Sequence, residues 1–192
     1  MSELTTVPRS LEVDPDAWLA SPVESLIQEL PFSELRWENF ERLCLRLARL
    51  DGTVETSRLY GIPGQNQHGI DLYARSPLNP KYRVYQCKRE EAFGPAKIKD
   101  AVAEFLAGTW VDRTETFVLC TKESLRATQR SEEVEAQREI LRAKGIAFEV
   151  WDSEELNVRL KAHPVLVDGF LREDMDQSLL FVGSTHTIGR TA

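Results

Sequence analysis

Cysteine is scarce in this sequence: of 192 residues only Cys44, Cys87 and Cys120 carry a thiol, an odd number, far apart and without a C-x-x-C pair. That pattern argues against a disulfide framework and against a structural zinc site, and it leaves reduced, buried thiols as the expectation. Long apolar stretches are missing as well. None approaches the roughly 18 residues that a membrane-spanning helix needs. The opening residues MSELTTVPRSLEVDPD contain no basic segment followed by an apolar one, so no membrane attachment is expected and the chain reads as cytoplasmic. Nor does any motif recur with the period of roughly 20 to 50 residues that marks a solenoid. With 42% hydrophobic residues against 29% charged, the composition is that of a folded globular chain, neither collagen-like nor disordered. The length suits one core with tails better than two domains.

Basic charge is short too. A net charge of −7 would count against a polyanionic partner if it were spread evenly. It is not: residues 1–34 hold seven acids and one base, and residues 172–192 hold three acids and two bases, which leaves residues 35–171 with 21 of each sign. Within that neutral stretch, residues 81–99 carry Lys81, Arg83, Lys88, Arg89, Lys97 and Lys99 against Glu90 and Glu91, a local +4. Such a run could meet phosphates, or it could be a solvated face.

Four prolines, Pro8, Pro15, Pro22 and Pro31, interrupt the N-terminal stretch, so residues 1–32 are expected to form an acidic leader rather than one long helix. From Ser33, the run SELRWENFERLCLRLARL places Leu35, Trp37, Phe40, Leu43, Cys44, Leu47 and Leu50 on one side of a helix, with Ser33 as N-cap and Asp51-Gly52 as stop. Segments 53–61, 69–76 and 82–89 are rich in β-branched and aromatic residues and are separated by Gly and Pro, the pattern of an antiparallel meander. An amphipathic helix then runs from Gly94-Pro95 to about Gly108, followed by a strand over 116–121, a charged helix over 123–145, a strand over 146–151 and a helix over 152–163. Ser153 is the expected cap of this last helix, although Asp152 with Glu155 fits the reciprocal capping box better. Each crossover helix must cover the sheet it returns to, so this order predicts a three-layer α/β/α sandwich around one mixed central sheet. The domain is expected over residues 33–171 and a polar tail or linker over 172–192. Trp18, Trp110 and Trp151 read as packing residues.

Three polar groups fall where a strand makes them costly unless they are used: Asp71 in GIDLYA, and Gln86 and Lys88 in VYQCK. Alternation puts Gln86 and Lys88 on one face of their strand and Tyr85 and Cys87 on the other, and a neighbouring antiparallel strand can set Asp71 opposite that pair. A carboxylate and a Gln oxygen are hard donors of the kind Mg²⁺ takes, and a lysine can stabilise an attacked phosphate or hold the attacking water. That is the equipment for phosphodiester hydrolysis. The same spacing also fits a cross-strand Asp–Lys surface pair with no chemistry. On the first helix Glu38 and Glu41 share a face; Trp37 and Phe40 mark the apolar side, which leaves Glu38 solvated and Glu41 at the boundary, within reach of the sheet. In the loop before Asp71, the residues Gln65, Asn66, Gln67 and His68 could hydrogen-bond DNA backbone or base edges, or form a polar loop held by its glycines.

Taken together, Gly61, Gly64-Gln65, Gln67, Gly69-Ile70-Asp71 and Tyr85-Gln86-Cys87-Lys88, preceded by Trp37-Glu38-x-Phe40-Glu41, resemble the PD-(D/E)xK nuclease superfamily and, within it, the type IV restriction (Mrr-like) branch. The likeness covers about residues 33–171, through Ile146-x-Phe148-Glu149-x-Trp151-Asp152 and Lys161-x-His163-Pro164-x-Leu166-Val167. It implies a restriction-endonuclease-like fold and a Mg²⁺-dependent endonuclease acting on double-stranded DNA, with Mn²⁺ able to substitute. It also implies a role in bacterial anti-phage defence, the domain pairing with itself or being fused to an oligomerising or ligand-sensing domain. Position by position, the resemblance makes Asp71 the metal-binding aspartate, Gln86 the residue at the second acidic position, Lys88 the catalytic lysine, and Glu41 the helix acid that supports the metal or its water. Gln65, Gln67, Arg89 and Lys97 are the expected nucleic-acid contacts. The sequence departs from the parent pattern at Gln86, which is not acidic, and at Ile70, which stands where the parent motif has proline. Both departures occur in the Mrr-like branch, and the missing charge of Gln86 makes Glu41 more important. Two competing readings are a catalytically silent nucleic-acid-binding or protein-interaction module on the same fold, which the presence of Asp71 and Lys88 disfavours, and an assembly adaptor acting through its leader and tail.

Overall fold

The structure, a computed structural model, describes residues 30–61, 67, 69–88 and 90–172. Most of the expected leader and tail, together with Trp18, Gln65, Asn66, His68 and Arg89, lie outside the described residues. Helix α1, Trp37–Leu50, forms because Phe40, Leu43, Cys44, Leu47 and Ala48 recur on one stripe, and that stripe is buried. Its start differs from the expectation. Phe32 and Leu35 are both buried, which draws the preceding chain into a 3₁₀ turn, Phe32–Glu34, so the helix begins from an extended Arg36 and Ser33 caps nothing. Asp51 ends it as expected, its carboxylate accepting from the Thr53 N–H at 3.0 Å and the Thr53 hydroxyl at 2.6 Å.

Strands β1 Thr56–Leu59, β2 Leu72–Arg75, β3 Tyr82–Lys88, β4 Thr114–Thr121 and β5 Ala147–Trp151 lie side by side in chain order. The first three pair antiparallel and the last two join in parallel, one mixed sheet. β1 and β2 are shorter than the sequence pattern suggests because Gly61 and Gly69 take positive φ, 80° and 76°, and turn the chain out of the ladder. One rung persists beyond β2: the Asp71 N–H donates to the Tyr85 carbonyl at 2.8 Å.

The remaining helices are α2 Pro95–Leu106, α3 Thr128–Arg142, α4 Ser153–Lys161 and α5 Pro164–Val167, the last running into a π turn, Asp168–Arg172. α3 starts later than expected because Leu125 is buried in the core and its N–H is held at 3.0 Å by the Asp152 carboxylate. The other oxygen of Asp152 accepts the Glu155 N–H at 3.0 Å, so Asp152 and not Ser153 caps α4. The short α5 was not foreseen; Pro164 cannot extend the helix before it and begins a new one.

Alternation along the strands builds two cores. Leu72, Ala74, Tyr85, Cys87, Val118, Cys120 and Trp151 pack under α1 and α4; Val84, Phe117, Leu119 and Phe148 pack under α2 and α3. Each large side chain buried in this way contributes roughly 1.5–3 kcal/mol. Trp110 and Trp151 are packing residues, Trp110 among the rings of Tyr60, Tyr73 and Tyr82 and Trp151 edge-on to Tyr85. The same alternation divides the basic residues of β3. Arg83 pairs with Glu149 at 2.8 Å and Asp51 at 3.6 Å, while Lys88 pairs with Glu104 of α2, so the positive run over 81–99 does not form one surface. Among the described residues no helix is long and apolar enough to cross a membrane.

Candidate active site

The chain at Gly69, two residues before Asp71, passes close over α2. A Cβ on Gly69 would stand 2.7 Å from the Phe105 backbone nitrogen and 2.9 Å from the Glu104 carbonyl carbon, so only glycine lets the two backbones meet. Ile70, 1% exposed, then anchors the segment in the core beneath α2, and Asp71 emerges one rung ahead of the start of β2. β3 runs on beyond that point, and its Cys87 N–H would otherwise have no partner on that side. The Asp71 Oδ2 accepts it at 2.6 Å. The carboxylate therefore sits where the sheet opens at the start of β2, within reach of groups from both helical layers.

Gln86 and Lys88 share the face of β3 that α2 covers, as alternation requires. The residue that joins them is Glu104 of α2, whose Oε2 accepts from Gln86 Nε2 and from Lys88 Nζ, each at 2.8 Å. Sequence reasoning missed Glu104. Its signal was the place it takes in α2, between the buried Ala101 and Phe105, at the margin of the stripe that packs on β3. Gln86 is 2% exposed, and its Oε1 is buried without a hydrogen-bond partner. An orphaned buried acceptor costs about 1–3 kcal/mol, so this oxygen is one that the polypeptide leaves for something else to satisfy.

Glu41 approaches from α1. Burial first, then the charge of Asp71, with Cys44 and Glu38 adding to it, pushes its pKa up to about 7. Burial likewise pushes Asp71 up to about 6; the Cys87 N–H and the Lys88 ammonium oppose that rise, and Glu104 and Cys44 add to it. Two carboxylates are thus held with less positive charge around them than they need, the condition under which a cation is welcome. Glu38 is exposed, as expected.

The oxygens that could hold a divalent ion are the carboxylates of Asp71 and Glu41 and the Oε1 of Gln86. All are hard donors and two carry charge, a set that suits Mg²⁺. The three cysteines, remote in sequence, also come together: Cys87 and Cys120 are neighbours across β3 and β4, Cys44 lies over them from α1, and their Sγ atoms are all within 4.8 Å of one another. No C-x-x-C spacing could have revealed this cluster. Thiolates would take a soft ion, but the other two thiols and burial push Cys87 well up and burial does the same to Cys120. Cys44 goes the other way: burial opposes its ionisation, but hydrogen bonds with the Cys120 and Cys87 thiols bring its pKa down to about 5, and its charge is felt by Glu41 and Asp71. None of the three is in a disulfide.

Of the expected nucleic-acid contacts, Gln67 lies against Gly61, with its Cγ 2.9 Å from where a Cβ would be, and Lys97 Nζ donates to the Glu91 carbonyl at 3.0 Å. Gln65 and Arg89 lie outside the described residues. A concavity of about 500 Å³ between α3, β5 and α4, lined by Val134, Val150, Asp152 and Val158 among others, contains none of the site residues. The Asp71 cluster opens to solvent instead at Glu104, whose side chain is 54% exposed.

Residues 32–157 match a protein-family model described as restriction endonuclease, the Mrr catalytic domain. No curated protein matches the chain.

Proposed function

The chain belongs to the Mrr restriction endonuclease family, and from that premise we propose that it is a metal-dependent endonuclease that hydrolyses phosphodiester bonds of double-stranded DNA in bacterial anti-phage defence. The observation that supports this most is that Asp71 lies within electrostatic reach of both Glu41 and Lys88, beside the strand that also carries the unpartnered Gln86 Oε1.

In this reading Asp71, Glu41 and Gln86 hold Mg²⁺. The chemistry supplied there by bound Mg²⁺, or by Mn²⁺ in its place, is polarisation of the phosphate and of the attacking water. Lys88 contributes a mobile positive charge: on leaving Glu104, its Nζ donates to a non-bridging oxygen of the attacked phosphate, where negative charge grows as the fifth oxygen approaches. Asp71 cannot swing away, because its Oδ2 is fixed to the Cys87 N–H. The domain is residues 33–171, between an acidic leader and a polar linker. It acts in the cytoplasm, through pairing of protomers or fusion to a sensing or oligomerising domain.

The second reading is a catalytically silent nucleic-acid-binding or interaction module, favoured by one observation: Gln86 brings no charge to the position where the parent pattern has an acid. Plasmid DNA incubated with Mg²⁺ or Mn²⁺ decides between them. Nicking or degradation by wild type that Asp71→Ala and Lys88→Ala both abolish is the expected result. A wild-type chain that leaves the plasmid intact even when artificially dimerised gives the ground to the silent module.

A further inference from the structure

We infer that Glu104 is a positioning residue that fixes which end of the Gln86 amide is left free to accept, so that an amide can serve where a carboxylate would need no orienting. The inference rests on the proposed nuclease reading. A carboxylate offers oxygen at both ends, whereas an amide of nearly the same shape offers one oxygen and one N–H₂ group. Turned the wrong way, Gln86 would aim two N–H donors at a cation. Water cannot settle the choice, because the residue is 2% exposed.

Glu104 settles it. An ionised carboxylate only accepts, so it takes the Nε2 end, at 2.8 Å, and the Oε1 is left at the other end, buried and without a partner in the protein. The same Glu104 oxygen receives Lys88 Nζ at 2.8 Å, which makes one carboxylate the common anchor of a residue expected to hold the metal and of the one expected to act on the phosphate. Its own position is fixed from behind. Gly69 meets the backbone of Glu104 and Phe105, so the segment that delivers Asp71 and the residue that orients Gln86 are fastened to each other. With its side chain 54% exposed, Glu104 keeps much of its hydration and can carry charge at the mouth of the site at small desolvation cost.

Mn²⁺ binding to the full chain without DNA, measured by calorimetry or by electron paramagnetic resonance, tests this apart from activity. Glu104→Ala is expected to weaken binding about tenfold, the range seen when the hydrogen-bond partner of a metal ligand is removed. Glu104→Gln keeps an oxygen for Gln86 Nε2 but no charge, and is expected to stay within about threefold of wild type. In a Gln86→Ala background, Glu104→Ala is expected to add less than about twofold, because its effect passes through the amide. Thermal unfolding in EDTA checks that each variant folds. The inference is overturned if Glu104→Ala binds like wild type, if Glu104→Gln loses as much as Glu104→Ala, or if the two alanine effects simply add. A wild type that binds Mn²⁺ in this pattern yet never cleaves DNA would sink the nuclease reading and leave the orienting role of Glu104 standing. A wild type that cleaves while Glu104→Ala binds normally does the reverse, and a wild type that binds no Mn²⁺ removes both.

Discussion

Holding Asp71 and Glu41 together at the start of β2 costs stability when no cation is bound, and the direction of that cost with pH follows from their titration. Each keeps its proton more firmly in the folded chain, Asp71 to about 6 from 3.8 and Glu41 to about 7 from 4.5. Across that window the folded state binds more protons than the unfolded one, so the contribution of these groups is fully present below the unfolded values and is lost as pH rises through 6 and then 7. Asp71→Asn removes the buried charge while its Oδ1 can still accept the Cys87 N–H. In EDTA the variant is expected to be more stable than wild type by on the order of 2 kcal/mol at pH 8, and equal to it near pH 4. Saturating Mn²⁺ should reverse the order at pH 8, since only wild type gains binding energy on folding. Urea unfolding under the three conditions measures all of this, and equal stabilities in EDTA at pH 8 would mean that Asp71 is well solvated. The thiols give a second check at the same scale. Cys44, Cys87 and Cys120 are at most 5% exposed, so a thiol reagent such as DTNB should label none of them in the native chain within minutes and all three in denaturant; rapid native labelling of any one would contradict the packing described.

What brings the site together is the seating of one loop on one helix, and glycine carries it. Gly69→Ala must place a Cβ 2.7 Å from the Phe105 backbone at a φ of +76°, with no flexible group there to yield. A loss of more than about 2 kcal/mol is expected, along with displacement of Asp71 and loss of cleavage. Gly61 has a similar φ, +80°, but the atoms nearest a Cβ there belong to the movable Gln67 side chain, so Gly61→Ala should cost about 1 kcal/mol and leave cleavage largely intact. Denaturation midpoints and plasmid cleavage for the two variants test the contrast; equal losses would mean that the contact with α2 is unimportant. The elements themselves were legible in the sequence because hydrophobic period and Gly/Pro punctuation report them directly: all five strands, their order and the four longer helices appear where the pattern puts them. The starts of α1 and α3 were not, because tertiary burial moved them. Phe32 and Leu35 pulled back the start of α1, and Leu125, tied to Asp152, delayed α3. Asp71, Gln86 and Lys88 could be paired on paper because register between neighbouring strands is a two-residue rule. Glu104 and the cysteine trio could not, since α2 meets β3 on one face of the sheet and α1 meets β3 and β4 on the other, each from a distant part of the chain, and no spacing rule joins them.

For the whole molecule, on the proposed nuclease reading, charge and site number together determine how a duplex would be cut. Within the basic run over 81–99, Arg83 is paired with Glu149 and Asp51 and Lys88 with Glu104, so two of its charges are already neutralised inside the fold. With residues 35–171 neutral in sum, a single protomer has little long-range attraction for DNA, and its affinity should be modest and strongly weakened by salt. Each chain also offers one cluster built on Asp71, whereas the two scissile phosphates of a duplex lie on antiparallel strands and face different directions. One protomer can therefore address one strand at a time. On supercoiled plasmid at low protein concentration, nicked circles are expected to accumulate first, with linear DNA appearing only after unpaired nicks fall close together. Raising the protein concentration, or joining two chains through an added dimerising segment, should convert the pattern to direct linearisation, because paired sites cut both strands in one encounter and double the electrostatic contacts. Agarose gels of time courses at several concentrations separate the two regimes. Linear DNA formed without a nicked intermediate by a chain shown to be monomeric under the same conditions would mean that one protomer reaches both strands, and the single-site description would have to be abandoned.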